Sequence, residues 1–161
     1  MNQRFEEAAS VDDFIAANRV AALLGGNRVL ARWPKGPLET HDLLAQGLPG
    51  EALTYLIDHL VVLQRTASLE KAIGISLRTF QRRKDAPEKA LSADQSGRAW
   101  KFAEILVHAT DVFGSQEEAE LWLDRPATGL EQRRPIDLLA TPAGVELVET
   151  FLGRLKYGVY T

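Results

Sequence analysis

The amino-acid sequence predicts an all-α protein, in which a helix-turn-helix domain is followed by a second, smaller helical domain. Three observations predict this class. Apolar residues recur at helical spacing along most of the chain. Capping patterns, such as Ser92-x-x-Gln95 before a long amphipathic run, mark where helices begin. No β-hairpin signal is strong enough to predict a sheet.

The N-terminal third is expected to hold short helices. A helix is predicted over residues 10–24, with Ser10 as its cap. Residues 27–40 should be irregular or contain a short extended piece, because two prolines interrupt them. A short helix capped by Thr40 is predicted over residues 40–47. The next helix begins after Pro49 and has helical apolar spacing at Leu53, Leu56, Ile57, Leu60 and Leu63.

The stretch AIGISLRTFQRRK, residues 72–84, has the form of a helix-turn-helix, whose second helix enters the major groove of DNA. Gly74 can take the positive φ that ends one helix and starts a tight turn. Ser76 can cap the second helix by accepting a hydrogen bond from the amide three residues later. Leu77 and Phe80 then share the inward face of that helix.

The outward face of the second helix is basic. Arg and Gln suit base edges, and Arg, Lys and Thr suit phosphates. An ordinary amphipathic helix with a solvated basic face is the alternative, but the turn and the cap favour DNA binding or descent from a DNA-binding domain. The candidate DNA-binding residues are Ser76, Arg78, Thr79, Gln81, Arg82, Arg83 and Lys84.

Charge is distributed unevenly along the chain, whose net charge is −3. Residues 65–101 carry 9 basic and 4 acidic side chains, whereas residues 102–161 carry 5 basic and 10 acidic ones. The basic segment contains the helix-turn-helix. This asymmetry favours a local contact with DNA over a nucleic-acid surface that covers the whole protein.

Composition excludes several classes of site. The chain has no cysteine, which rules out disulfides, thiolate zinc sites and cysteine nucleophiles. No window reaches the roughly 18 apolar residues of a membrane span, and acidic residues stand where a secretory signal would have its apolar core. We therefore expect a cytoplasmic protein without metal, cofactor or membrane contact.

The C-terminal half is predicted to be helical. A long helix is expected over residues 94–113, a second after Ser115, a short one in the segment PIDLLAT and a last one over residues 142–155, before the tail 157–161. The inward face of the long helix should carry Ala99, Phe102, Ala103, Leu106 and either Ala109 or Thr110.

Several separated elements of residues 92–161 occur in a recognisable order. They are Ser96-Gly97-Arg98, Phe113-Gly114, Ala119-x-x-Trp122-Leu123, Arg125-Pro126, Leu130, Pro135-Ile136-Asp137-Leu138-Leu139-x-Thr141, Gly144, Val148, Leu152 and Tyr157-Gly158-Val159-Tyr160. This pattern resembles the toxin-binding domain of Xre-type antitoxins, which partner RES-domain toxins. The resemblance covers about residues 49–161, with the helix-turn-helix in the place that this family has it.

The resemblance implies an organisation and a function. It divides the chain into an N-terminal helical extension (1–48), an Xre-like helix-turn-helix domain (49–91) and a toxin-binding domain (92–161). Such antitoxins dimerise, repress their own operon and hold a NAD-degrading toxin inactive, in what is expected to be a higher-order complex. Their C-terminal segment reaches the active-site cleft of the toxin. Carried onto this chain, the toxin-binding residues are Arg154, Lys156, Tyr157, Gly158, Val159, Tyr160 and Thr161.

We further expect the carboxylate of Thr161 and the two tyrosine rings of the tail to occupy the space that the toxin uses for dinucleotide. In the alternative, the tail packs back on the core and Tyr157 is a buried aromatic residue. Trp100 and Trp122 are expected in the core or a dimer interface. Arg133 and Arg134 are expected to be a solvated loop pair.

Three alternatives compete with this function. An enzyme is disfavoured, because His41, His59 and His108 are far apart and no catalytic motif organises them. A stand-alone helix-turn-helix transcriptional regulator is the stronger rival, although a minimal repressor does not require the long acidic C-terminal domain. The chain could also be a scaffold that has lost DNA binding, which the basic face argues against.

Overall fold

A computed structural model of the chain describes residues 14–64, 66–86 and 88–158, with all side chains in these ranges except those of Leu77 and Arg83. Within these residues the regular secondary structure is helical and no strand occurs, which confirms the all-α prediction. The α-helices are α1 (14–23), α2 (Pro37–Gln46), α3 (Gly50–Asp58), α4 (Ala67–Ile73), α5 (Leu77–Lys84), α6 (Ala93–Phe113), α7 (Gln116–Leu123), α8 (Pro135–Leu138) and α9 (Pro142–Lys156).

Helix α2 begins earlier than predicted, at Pro37 and not after a Thr40 cap. Proline suits the first turn of a helix, because the N–H that it lacks has no partner there. The Thr40 hydroxyl instead donates a hydrogen bond to the Gly36 carbonyl, 3.0 Å away. Residues 29–36 are irregular, without the extended piece that the sequence allowed. The predicted Ser10 cap lies outside the described residues.

Helix α3 ends at Asp58, although the helical apolar spacing continues to Leu63. Leu60 and Leu63 are nevertheless buried, so the spacing identifies these core residues correctly. It wrongly predicts that they lie in a helix, because both lie in the loop after α3. The reason is that the amides of residues 61–63 donate to the carboxylate of Glu120 and not to carbonyls of a preceding helical turn. A loop therefore connects α3 to the helix-turn-helix.

Helices α4 and α5 form the predicted helix-turn-helix. Thr66 caps α4 by accepting a hydrogen bond from the Leu69 amide at 3.2 Å. The turn between the helices contains Ile75, which is buried, and α5 packs against α3 through the buried side chain of Phe80. These apolar anchors fix which side of α5 faces the protein, and so which side is left for a ligand.

Helix α6 is the longest of the described helices, and it contacts α2, α4, α7 and α9. Ser92 and Gln95 form a complete capping box at its start, as the sequence predicts. The predicted inward face is confirmed with Ala109 as its last member, because Thr110 is only half-buried. The buried members of this face are Ala99, Phe102, Ala103, Leu106 and Ala109.

Helices α7 and α9 lie on α6, and α8 contacts both α4 and α9. Ser115 caps α7 and Thr141 caps α9, each by accepting a backbone hydrogen bond. The buried apolar side chains from α1 to α9 form one cluster. Trp100 is buried in that cluster, and Trp122 packs against it from a half-buried position. The placement of both tryptophans at the core agrees with the sequence prediction.

Candidate functional site

The turn of the helix-turn-helix depends on a glycine. Gly74 has φ 76°, and its amide donates to the Glu70 carbonyl at 2.7 Å. A Cβ at this position would lie 2.2 Å from Nη1 of Arg98. The Arg98 guanidinium extends from α6 and donates to the carbonyls of Ala72, at 3.2 Å, and Lys71. The central helix thus caps α4, and only glycine leaves room for that cap.

The predicted N-cap of α5 is confirmed. The Thr79 amide donates to Ser76 Oγ at 3.1 Å, and the Ser76 hydroxyl donates to Thr79 Oγ1 at 2.9 Å. Thr79 is half-buried, and both hydroxyls are committed to the start of the helix. They therefore position α5, and a direct contact of either hydroxyl with DNA stays a prediction.

The exposed side of α5 carries Arg78, Gln81 and Arg82. Because Arg78 and Arg82 are four residues apart in a helix, their side chains lie on one side of it. Phe80 is buried on the opposite side and holds the helix against the core. Two exposed guanidinium groups beside an amide can donate to phosphate oxygens and to base edges in the major groove.

Lys84, at the end of α5, has a partner within the protein. Its Nζ lies 3.2 Å from Oδ1 of Asp58 and 5.1 Å from the centre of the Phe80 ring. This contact ties the C-terminal end of α5 to the C-terminal end of α3. To bind DNA, the Lys84 ammonium group must either leave Asp58 or contact Asp58 and a phosphate at the same time. The Arg83 side chain lies outside the described atoms.

The C-terminal end of α9 presents an exposed aromatic ring. Tyr157 is 76% exposed, so the alternative in which this ring is buried is wrong. Its amide still bonds to the Gly153 carbonyl at 3.2 Å, which keeps it on the helical path. Lys156 Nζ lies 5.9 Å from the centre of the Tyr157 ring, and Arg154 is exposed one turn earlier. Gly158 follows with φ 66°, and three residues of the predicted tail lie outside the described ranges: Val159, Tyr160 and Thr161.

Helix α9 is joined to α6 by a cation between two carboxylates. Lys101 Nζ bonds to Glu104 at 2.7 Å and to Glu149 of α9 at 3.0 Å. Burial lowers the pKa of Lys101, but the hydrogen bonds to Glu104 and Glu149 outweigh it and raise the pKa above its ordinary value. Trp100 Nε1 also donates to Glu104, at 2.7 Å. The helix that carries Tyr157 therefore has a polar link to the centre of the fold.

A fully buried carboxylate holds the loop before α4. Both oxygens of Glu120, on α7, accept from the Val61 amide, and Oε1 also accepts from Val62 and Leu63 at 2.9 and 3.0 Å. The Gln116 side chain donates to Oε2 at 2.9 Å. These hydrogen bonds satisfy a group that would be costly to bury alone.

Arg134 forms a second polar link between the two halves of the chain. Its guanidinium donates to Ser68 of α4 at 2.6 Å, to Asp124 at 3.1 Å and to Asp137 at 3.0 Å. The hydrogen bond to Asp137 raises the pKa of Arg134 above its ordinary value. The expectation of a solvated loop pair is therefore wrong for Arg134, whereas Arg133 beside it is exposed. Arg134 immediately precedes α8, and its guanidinium reaches Ser68 of α4.

Comparisons with known proteins identify the two halves. Residues 39–104 match the antitoxin Xre-like helix-turn-helix domain, and residues 108–158 match the antitoxin Xre/MbcA/ParS C-terminal toxin-binding domain. An antitoxin Xre of Yersinia enterocolitica is 30% identical over 130 residues, which cover 71% of this chain and 87% of that protein. The chain belongs to the Xre antitoxin family.

Two further Xre antitoxins show the range of similarity. The protein of Photorhabdus laumondii is 34% identical over 87 residues, which cover 53% of this chain and 58% of that protein. The protein of Pseudomonas putida is 28% identical over 120 residues, which cover 74% of this chain and 72% of that protein. The chain thus spans less than two thirds of the Photorhabdus protein. All three of these relatives are named antitoxin Xre.

The two Xre matches meet within α6, so the polar links made by Glu120 and Arg134 join different domains of the antitoxin. Both residues belong to the toxin-binding match, and their partners in residues 61–68 belong to the helix-turn-helix match. These roles were not predicted from the sequence. One signal was present: Glu120 lies between Ala119 and Leu123, on the side of α7 that faces the core.

The described part of this Xre-family chain contains no group of three or more His, Asp or Glu side chains that could hold a metal ion. His59 is exposed; its ring stacks on Tyr55 at 3.9 Å, and its Nδ1 lies 2.8 Å from the Tyr55 carbonyl. His41 and His108 are also exposed. Among the described helices, none is long and apolar enough to cross a membrane.

Proposed function

We propose that this antitoxin neutralises a RES-domain, NAD-degrading toxin in the cytoplasm by covering the toxin's active-site cleft with its C-terminal segment. The exposure of Tyr157 at the end of α9 is the observation that carries the proposal. Arg154 and Lys156 are exposed beside it. Aromatic and arginine side chains are common anchors of protein interfaces, because they bury a large surface and bond at their polar ends. The RES class of the partner rests on the family resemblance.

In this proposal the segment from Gly158 to Thr161 enters the cleft and excludes dinucleotide from it. The link from Lys101 to Glu149 holds α9 on α6, so the segment starts from a defined point. The positive φ of Gly158 lets the chain turn away from the helix axis at that point. A fixed attachment point on α9 reduces the freedom that the antitoxin loses on binding, which favours tight inhibition.

A truncated chain tests the proposal. Deletion of residues 157–161 should abolish rescue of cells that express the toxin encoded beside this chain, while binding to operator DNA survives. The Arg78→Ala, Arg82→Ala double variant is the matched control and should lose operator binding while it still rescues growth. Growth rescue by the truncated chain would exclude the C-terminal segment as the inhibitory element.

We propose also that α5 binds operator DNA and thereby represses the antitoxin's own operon. The exposed side chains of Arg78, Gln81 and Arg82 support this function. One short recognition helix reads too few base pairs for useful specificity, so binding as a homodimer to two half-sites is expected. In this proposal residues 49–91 bind DNA and residues 92–161 bind toxin. The antitoxin and the toxin together form a higher-order complex.

A stand-alone transcriptional regulator is the second candidate, and the same exposed face of α5 favours it. The two candidates differ in what they bind. An antitoxin forms a stable complex with the neighbouring gene product, and the mass of that complex gives its stoichiometry. A regulator that binds its operator and forms no such complex would exclude the antitoxin function proposed here.

A further inference from the structure

An open apolar groove lies on the outer side of α9, which we call the α9 groove. It encloses about 410 Å³ between α9 and the short 3-10 turn Thr128–Leu130. Leu147 stands at the groove with 56% of its surface exposed, although it is a large apolar residue. The apolar lining of the groove is Gly129, Leu130, Ala143, Leu147 and Phe151, and its polar lining is Glu146, Thr150 and Arg154.

The floor of the α9 groove is preformed. The Phe151 ring lies parallel to the Trp122 ring, with centres 6.0 Å apart, and Trp122 contacts Phe113 of α6 at 5.1 Å. On the other side, Phe151 lies so close to Gly129 that a Cβ there would be 2.1 Å from the ring. A ring held by neighbours on two sides loses little freedom when a partner covers it.

The α9 groove and Tyr157 lie on one side of the same helix. Leu147, Thr150, Arg154 and Tyr157 follow one another at spacings of three or four residues, which places them in a single stripe. From Leu147 to Tyr157 the helix rises about 15 Å. Arg154 lines the groove and stands one turn before Tyr157. A partner that covers Tyr157 can therefore reach the groove without leaving this surface.

We propose that the α9 groove is a second anchoring site for the toxin and receives an apolar side chain from it, while a toxin carboxylate pairs with Arg154. This inference rests on the proposed function, since it names a further contact with the same partner. The whole groove lies within residues 108–158, the part that matches a toxin-binding domain. Aromatic residues and arginine are enriched in protein interfaces, and the groove has an aromatic floor and an arginine at its end. The exposed Leu147 adds apolar surface that a partner can cover.

A pair of matched substitutions tests the α9 groove. Leu147→Lys places a charge in the groove, and Leu38→Lys places the same charge at another exposed leucine, on α2, which is 74% exposed. With the toxin encoded beside this chain, Leu147→Lys should raise the dissociation constant about tenfold or more. Leu38→Lys and the conservative Leu147→Met should leave it unchanged. Circular dichroism checks that each full-length variant is folded.

The outcomes separate this inference from the proposed function. If Leu147→Lys binds toxin as tightly as Leu38→Lys does, while deletion of residues 157–161 abolishes neutralisation, the groove is not an anchor and the tail remains the inhibitor. If Leu147→Lys weakens binding and the truncated chain still inhibits the toxin, the groove is an anchor and the tail is not the inhibitor. A changed oligomeric state of Leu147→Lys with unchanged toxin affinity would assign the groove to contacts between copies of this chain and overturn the inference.

Discussion

The carboxylate of Glu120 accepts a hydrogen bond from the amide of Leu63 at 3.0 Å, and both residues are fully buried. This bond joins α7 of the toxin-binding domain to the loop that leads into the first helix of the helix-turn-helix. Arg134 adds a second link to the same helix through Ser68. The helix-turn-helix is therefore connected to the toxin-binding domain by buried and half-buried polar contacts as well as by apolar packing.

Replacement of this carboxylate should destabilise the protein. Glu120→Gln keeps the size of the side chain, removes the charge and turns an N–H donor toward backbone amides that also donate. We expect the free energy of unfolding to fall by about 2 kcal/mol or more, since hydrogen bonds to a buried charged group are among the stronger ones. Urea unfolding measures this change. The exposed Glu117→Gln of the same helix is the control, and equal stability of the two variants would refute a stabilising role for the buried carboxylate.

Two glycines should respond to alanine in opposite directions. Gly74→Ala forces a side chain into a position with φ 76° and into contact with Arg98, so it should destabilise the protein by about 1 kcal/mol or more. Gly97→Ala, inside α6, meets no other atom within 4 Å and should stabilise by about 0.5–1 kcal/mol. Thermal or urea unfolding of both variants checks the signs. Stabilisation by Gly74→Ala would show that the turn does not need glycine.

The exposed arginines of α5 should control affinity for DNA. The Arg78→Ala, Arg82→Ala double variant should bind operator DNA far more weakly. If the two guanidinium groups bind phosphates, the slope of log affinity against log salt should fall by about 0.9 for each phosphate that the variant no longer neutralises. Fluorescence anisotropy at several salt concentrations gives both quantities. Arg133→Ala, which replaces an exposed arginine of the other domain, is the control. An equally large decrease in the DNA affinity of this control would indicate non-specific attraction between DNA and positive charge, and not a specific contact of α5.

Arg134 and Arg133 should differ in their effect on stability. Arg134→Ala removes hydrogen bonds to Ser68, Asp124 and Asp137, whereas Arg133→Ala alters an exposed side chain. We expect a lower thermal unfolding midpoint for Arg134→Ala alone. Arg134→Lys should recover only part of the stability, because an ammonium group cannot reproduce the planar fork of the guanidinium. Identical midpoints for the two alanine variants would mean that the hydrogen bonds of Arg134 contribute no stability.

Local signals in the sequence were sufficient for most of the helices. The capping box at Ser92 and the cap at Ser76 depend on residues three apart, so they can be identified from the sequence alone. The exposure of α5 on its basic side followed in the same way from helical spacing. The family pattern of the C-terminal half predicted its toxin-binding class, which the comparisons confirm.

Contacts between residues far apart in the chain could not be predicted in this way. The carboxylate of Glu120 accepts hydrogen bonds from the amides of residues 61–63. Helix α3 therefore ends at Asp58, although the apolar spacing continues to Leu63. The role of Arg134 likewise depends on where α8 places it beside α4. The sequence around Glu120 and Arg134 gives one local sign of these contacts, which is an acidic residue on the inward side of a helix. The exposure of Tyr157 also required the structure, because a buried ring was equally compatible with the sequence.

The most direct test of the proposed inhibition measures consumption of NAD by the purified toxin encoded beside this chain. Titration with the full-length antitoxin should reduce the rate to background at a fixed stoichiometric ratio. An equal titration with the chain that lacks residues 157–161 should leave NAD consumption close to the rate of toxin alone. Inhibition by the truncated chain at the same ratio as the full-length chain would contradict the central claim that the C-terminal segment blocks the active site.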